Sequence, residues 1–555
     1  MHTAISSWFR ALLLIALCAA FLLPSVPSAP KGSAAAGRPL ESRLLLVPLD
    51  GRPPCRQFVI DAGRIGGTDV MTPPSAIQDY YSQPGDTGRM RAWLMEQAGS
   101  ADAIIVSIDQ LLYGGLLAAR EREAKKEDIE ELAAFLCALR AAHPATPIYA
   151  FSILPRLMPQ DTIDGYEERR DLIAYSRLVG KKAAGLPIDE AELACRKKAI
   201  PPGSLARYLV HFSENEAMSE QLIDLAEEGV LTRLVLGQDD GESYGIPNIE
   251  KNALADYIKA HGLTEKQVFL THGADEIALT LLAAWKNEQT SFHPRVFLRC
   301  NDPSTAKNTM PYMAVSTGEC AAEKIRLIGG TLADAPKDAD LILAVSTNDS
   351  ERDTLGSRAA LADYIAKAAP APPIALVDLS RHFTAEETVL PQLLARSFPL
   401  HTLAAYAGWN TTSNALGTAL AEGSIYLASP PASDKEARAR AAENARFLDN
   451  RIFEDYFYLK NTIDAINRTL KKVGYENTAD LDLTKNYRFA NAMLQHAMRK
   501  DLAHYKKVPA FAAPFPVRRG NSAGELLRLH DAVLDTSFPW PRTFEIHLEI
   551  IPSFR

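Results

Sequence analysis

Two adjacent carboxylates, Asp239 and Asp240, close an apolar run at 234–237. They cannot both cap one helix, and in extended chain their side chains point to opposite sides. Repulsion between them raises one pKa and leaves the other residue ionised. That is the pairing glycoside hydrolysis uses, a protonated carboxyl for the leaving oxygen and a carboxylate that stabilises or orients the reacting group. We assign Asp240 as the acid and Asp239 as its ionised partner, although the sequence would allow the reverse. If the sugar's own acetamido group attacks, such a pair suffices. The plain structural alternative is a helix cap plus a salt bridge to an arginine such as Arg233 or Arg207.

Other apolar runs end in the same way. The run 44–49 leads into Asp50-Gly51-Arg52-Pro53-Pro54, and 103–108 into Asp109 with Tyr113 four residues on. The run 268–271 leads into His272-Gly273-Ala274-Asp275-Glu276, and 403–406 into Gly408-Trp409-Asn410 with Asn414 beyond. An indole can stack on a sugar ring, and each Asn offers donors and an acceptor to hydroxyls. Asp50, Arg52, Asp109, Tyr113, His272, Asp275, Trp409, Asn410 and Asn414 are therefore expected to line a pocket around the pair. An acidic mouth with Tyr and Trp suits a neutral polyol or oligosaccharide, with no metal or cofactor. Two alternatives stand beside this. In one, Asp50, Asp109, Asp239, Asp240 and His272 hold Mg²⁺, Mn²⁺ or Ca²⁺ in a hydrolase of phosphate or ester bonds. In the other, the same vocabulary binds a sugar in a periplasmic protein without turnover.

Bringing these residues together requires parallel strands, whose carboxyl ends form the ligand sites of α/β folds. Nine short runs fit strands buried on both faces: 44–49, 103–108, 148–154, 234–237, 268–271, 296–298, 341–345, 374–377 and 403–406. Helical patterns such as 125–142 and 249–260 lie between them. The expected class is α/β, strands alternating with helices in a barrel-like or doubly wound arrangement over 37–430, with a helical insertion at 156–232. Ser429-Pro430-Pro431-Ala432 breaks the pattern, and Ser433 with Glu436 opens a long helix as a capping box. Residues 431–555 then read as mainly helical and end in a half-buried strand, Phe544, Ile546, Leu548 and Ile550 alternating with Glu545, His547 and Glu549. The insertion and the C-terminal helices argue against the two similar lobes of a binding protein.

Composition narrows the class. The 555 residues are 47% hydrophobic and 23% charged, as in a globular protein, and 60 Lys and Arg against 68 Asp and Glu give a formal charge of −8. With no basic run, nucleic acid is excluded as a partner. His2 and Arg10 precede an uncharged run at 11–23, too short for the ~20 residues of a bilayer span but suited to a signal peptide. Residues 1–36 are read as signal and linker, the mature protein as exported to the periplasm or beyond, with no stable membrane span after cleavage. Five later cysteines form no disulfide framework; Cys137 reads as a small core residue, and a Cys300–Cys320 bridge stays open. There is no G-x-S-x-G, P-loop, H-E-x-x-H or G-x-G-x-x-G after a strand.

Several strings also resemble a bacterial family of unknown function, numbered 4127. They are Val47-Pro48-Leu49-Asp50-Gly51-Arg52-Pro53-Pro54, Pro84-Gly85-Asp86, and Ser107-Ile108-Asp109-Gln110 through Tyr113-Gly114-Gly115-Leu116. Gln238-Asp239-Asp240, Ala405 to Thr411 with Asn414, and Pro539-Trp540-Pro541-Arg542 with Phe544-Glu545 belong to the set. The resemblance runs from about 43 to 551. The family usually has Asp-Glu-Arg-Pro where this chain has Asp50-Gly51-Arg52-Pro53, so no role falls on a carboxylate at 51. The resemblance implies an architecture and a motif set but no activity.

Overall fold

The computed structural model describes residues 40–159, 165–347, 355–368, 372–382, 384–408, 411–478, 480–519 and 522–555. The expected signal and linker at 1–36, and Trp409 and Asn410, lie outside the described residues. Strands β1 (Ser42–Val47), β2 (Thr68–Met71), β3 (Ala103–Ser107), β4 (Ile148–Leu154), β5 (Arg233–Gln238) and β6 (Val268–His272) form one sheet, ordered β2-β1-β3-β4-β5-β6. Strands β7 (Arg295–Cys300), β8 (Thr331–Leu332), β9 (Leu341–Ser346), β10 (Ile374–Asp378) and β11 (Ala405–Ala407) form a second, ordered β11-β10-β9-β7-β8. Every pairing in both is parallel. Each sheet starts inside, adds one strand outward, then returns and grows the other way. That is doubly wound topology, with switch points between β1 and β3 and between β7 and β9. The strands thus divide into two open sheets rather than closing one barrel, and the sheets share a winding order despite the intervening helices.

Alternation along each strand explains the layering. Leu44 and Leu46 join one core cluster while Leu45 and Val47 join another; Leu341, Leu343 and Val345 separate from Ile342 and Ala344 in the same way. The shared cluster contains the inner faces of both sheets and the helices Gln57–Gly66, Ile277–Thr290 and Thr412–Ala428. These helices form a central layer between the sheets. Thr412–Ala428 is buried along nearly its whole length, as a helix apolar on all sides must be.

All nine expected runs are strands, and β2 and β8 are additional. β2 has the sequence TDVM and pairs only with β1 at a sheet edge; β8 is two exposed residues. Neither carries the long apolar run that betrays a buried strand. Between β4 and β5 lie the helices Tyr166–Ala183, Glu190–Ala199 and Pro202–Glu227. The last of them returns to the sheet, burying Met218, Leu222 and Ile223 against it. The C-terminal region covers the outer face of the second sheet with Asp434–Ile452, a π-helix Phe453–Thr462, Ile463–Lys472 and Tyr487–Tyr505. Ser433 caps the first of these, accepting the Glu436 N–H. Two antiparallel hairpins follow where one strand was expected: β12 (Phe515–Arg519) with β13 (Ser522–Leu527), and β14 (Leu529–Ser537) with β15 (His547–Phe554). Cys300 and Cys320 are buried thiols that form no bridge, and Cys137 is exposed rather than in the core. No described helix is long and apolar enough to cross a membrane.

Lys324 joins the helix Thr317–Leu327 to the end of β6. Its buried ammonium donates to the His272 carbonyl at 2.6 Å and the Thr271 hydroxyl at 3.1 Å, and pairs with Glu276 at 2.5 Å. Lys324→Met would strand the Glu276 carboxylate, so we expect a loss of about 3–5 kcal/mol in urea unfolding. A loss below about 1 kcal/mol would show that the pair does not hold this turn.

Candidate active site

A cavity of about 180 Å³ opens where the strands end, room for about six water molecules. Gln238, Asp239 and Asp240 follow β5, residues 272–275 follow β6, and Arg52 follows β1. Thr411, Ser413 and Asn414 come from the start of the central helix after β11, and Tyr312 and Met313 from the loop after β7. Arg542 and Phe544, on the β14–β15 connection, supply the last wall. Gly273 has φ +107°, and a Cβ there would lie 2.8 Å from the Ser413 hydroxyl. Only glycine lets β6 end this close to the neighbouring helix.

Arg52 is the hub. Its Nη2 bonds Asp50 at 2.6 Å and Asp275 at 2.7 Å, its Nε lies 3.9 Å from Glu545, and its guanidinium sits 5.4 Å from the Trp540 ring. Asp50 also accepts the Arg52 backbone N–H at 3.0 Å. Burial pushes the Asp50 pKa up, but the Arg52 charge and hydrogen bonds outweigh it and hold the carboxyl below its usual value. Asp275 is raised to about 6, chiefly by burial, with Arg52 opposing. Asn414 donates to it at 3.4 Å.

The adjacent aspartates have opposed environments. Asp239 pairs with Arg120, and its other oxygen accepts the Asp240 N–H at 2.8 Å. Although burial works against it, the charges of Arg120 and Arg156 lower its pKa. Asp240 is raised to about 7 by burial first and by the Asp239 charge second. The partner of Asp239 is Arg120, not Arg233 or Arg207. Arg233 instead donates to the Leu327 carbonyl at 3.0 Å.

The remaining expected residues divide. His272 lines the cavity, with Nδ1 2.8 Å from Glu323 and Nε2 2.8 Å from Lys251 Nζ. The lysine ammonium can only donate, so Nδ1 carries the proton toward Glu323. Asp109 and Tyr113 do not line the cavity. Asp109 is buried and accepts the Ile153 N–H at 3.1 Å, with burial raising its pKa to about 7. Tyr113 is packed in the outer core of the first sheet, its hydroxyl 4.0 Å from Met218 Sδ. Both sit on the short helix turn after β3, which faces the neighbouring strand instead of the mouth.

The expected metal-ligand set is not gathered either. Asp50 is taken by Arg52, Asp239 by Arg120, Asp109 by a backbone N–H and His272 by Lys251 and Glu323. Asp50, Cys55 and Asp275 do bring ligand atoms within 4.8 Å of one another, but the Arg52 guanidinium already bonds both carboxylates. The mouth is not acidic as expected: Arg52, Arg120, Arg156 and Arg542 line it beside three aspartates. Arg542 and Glu545 are legible in the sequence only as part of a motif, and strand alternation predicts Glu545 on the wet side. It is fully buried, because residues before His547 are irregular and invert the alternation.

The sequence matches the profile described as "Protein of unknown function (DUF4127)" over residues 44–549. The chain belongs to that family. The two-sheet architecture and the Asp239–Asp240 cavity described above are those of this member of it. No curated protein matches. Among solved structures, a GH26 β-mannanase from Bacteroides ovatus aligns at 11% identity and TM-score 0.18, covering 61% of this chain and 79% of that one. At that score the likeness carries no functional weight.

A carboxyl raised in the folded state binds its proton more tightly folded than unfolded. Its stabilisation is complete below the unfolded pKa of about 4 and is lost as pH rises through about 7 for Asp240. Asp240→Asn should therefore become more stable relative to the wild type as pH rises from about 5 to about 8, measured by urea denaturation. A difference independent of pH would place the Asp240 carboxyl at an ordinary pKa.

Proposed function

We propose that this protein is an exported glycoside hydrolase in which Asp240 is the general acid. The observation that carries the reading is the opposed pair in one cavity, a carboxyl whose pKa is raised beside a neighbour whose pKa is lowered. Asp240 would protonate the leaving glycosidic oxygen, since a pKa raised to about 7 leaves about half of it protonated near neutral pH and lets the proton go in the transition state. Asp239 is a fixed negative charge: with Arg120 on one oxygen and the Asp240 N–H on the other, it keeps its neighbour protonated and steadies positive charge on the sugar. Asp275 faces the same cavity and, at about 6, is ionised at neutral pH. It is the carboxylate suited to activate water or to meet the anomeric carbon. Export rests on the apolar run 11–23. The sheets share one core, which leaves no hinge for the lobe closure of a two-domain binding protein.

The test is turnover on a panel of aryl glycosides. Asp240→Asn should keep the fold by circular dichroism and lose about 10²–10⁴-fold in kcat, the usual share of general acid catalysis. The wild-type rate should fall above about pH 7 as the acid deprotonates. Equal rates for the variant and the wild type would remove Asp240 from the chemistry.

A further inference from the structure

We infer that the sugar accepted by this site carries a carboxylate and that Arg542 reads it. The inference rests on the glycosidase reading above and names its substrate class. Arg542 is held rigidly at the cavity wall. Its Nε and Nη2 bond the two oxygens of Glu545 at 2.7 and 2.5 Å, and its backbone N–H closes a tight turn on the Trp540 carbonyl at 2.7 Å. The guanidinium lies 4.9 Å from the Trp540 ring, 5.6 Å from Phe544 and 5.8 Å from Tyr81. Glu545 takes two of the five guanidinium N–H groups. Among the described residues no other side chain bonds the rest, and Arg542 lines the cavity.

The other cations there are differently placed. Arg52 is shared between Asp50 and Asp275, and Arg120 is bound to Asp239. The carboxylates balancing Arg52 and Arg542, namely Asp50 and Glu545, are both fully buried behind them. A ligand therefore meets four guanidinium groups and the aspartates at 239, 240 and 275, and Asp240 must be protonated to act as acid. The guanidinium N–H groups thus face the ligand, while their charge is matched by Asp50, Asp239, Asp275 and Glu545. A guanidinium with a spare pair of parallel N–H bonds matches the two coplanar oxygens of a carboxylate, and pre-organisation by stacking lowers the entropy lost on binding. A carboxylate in the cavity also keeps the proton on Asp240, so binding and acid catalysis reinforce each other.

The experiment measures equilibrium binding to the full protein of D-glucuronate, D-galacturonate and D-mannuronate against their neutral amides. At least one uronate should bind tenfold or more tighter than its amide, with the ratio falling to about one in Arg542→Gln. High salt should weaken the acid more than the amide. No preference for any acid, a preference unchanged in Arg542→Gln, or tighter binding of a hexose 6-sulfate than of every uronate overturns the inference. The wild-type ratio decides even if the variant fails to fold. Cleavage of neutral aryl glycosides without acid preference would sink the inference alone, whereas uronate binding with no glycoside turned over would sink the hydrolase reading.

Discussion

One buried guanidinium ties the site together. Arg52 follows the first strand, and Asp50, Asp275 after the sixth strand and Glu545 near the end of the chain all converge on it. A charge this deep is tolerable only when carboxylates match it in place. Asp50 supplies a local anchor two residues away, and Asp275 and Glu545 supply the long-range ones. The geometry of the cavity is therefore coupled to the correct docking of the C-terminal segment on the first sheet.

That coupling gives the C-terminal region a role beyond covering the second sheet. Its π-helix places Asp455 against the Gly408 N–H at 2.8 Å and Lys460 on the Gly408 carbonyl at 2.5 Å, fixing the end of β11. Lys460 has its pKa lowered by burial, with Asp455 opposing. Arg451 stacks 3.3 Å from the Phe58 ring and bonds Asp455 at 3.1 Å, joining the first central helix to the same region. A wide π-turn with several buried charges would be costly as mere scaffold. Single π-turns are frequent at functional sites.

The electrostatics follow from how the carboxylates are partnered. Asp50 and Asp239 each bond an arginine directly and stay ionised; Asp240 has only the distant pull of Arg120 and Arg156 and a charge beside it. Burial is common to all three. Among these three, direct pairing separates the ionised carboxyls from the one that keeps its proton, whereas burial raises Asp275 to about 6 in spite of Arg52; the Asp239 pair depends on Arg120 reaching across from the segment after β3 to the end of β5.

The sequence by itself determined the parallel strands, because burial on both faces demands unbroken apolar runs such as 148–154, and it placed acids at their ends. It also marked Asp239 and Asp240 as a pair that could not share one role. It missed β2 and β8, whose short or alternating residues carry no such run. It put Asp109 and Tyr113 in the mouth because each follows a strand, whereas the turn after β3 aims them at β4 and the outer core. Only the tertiary structure decided that two open sheets share one helical layer, that Arg120 pairs with Asp239, and that Glu545 reaches Arg52 and so brings Arg542 and Phe544 to the wall. Those contacts span from about a hundred to several hundred residues, and no local periodicity encodes which guanidinium will find which carboxylate.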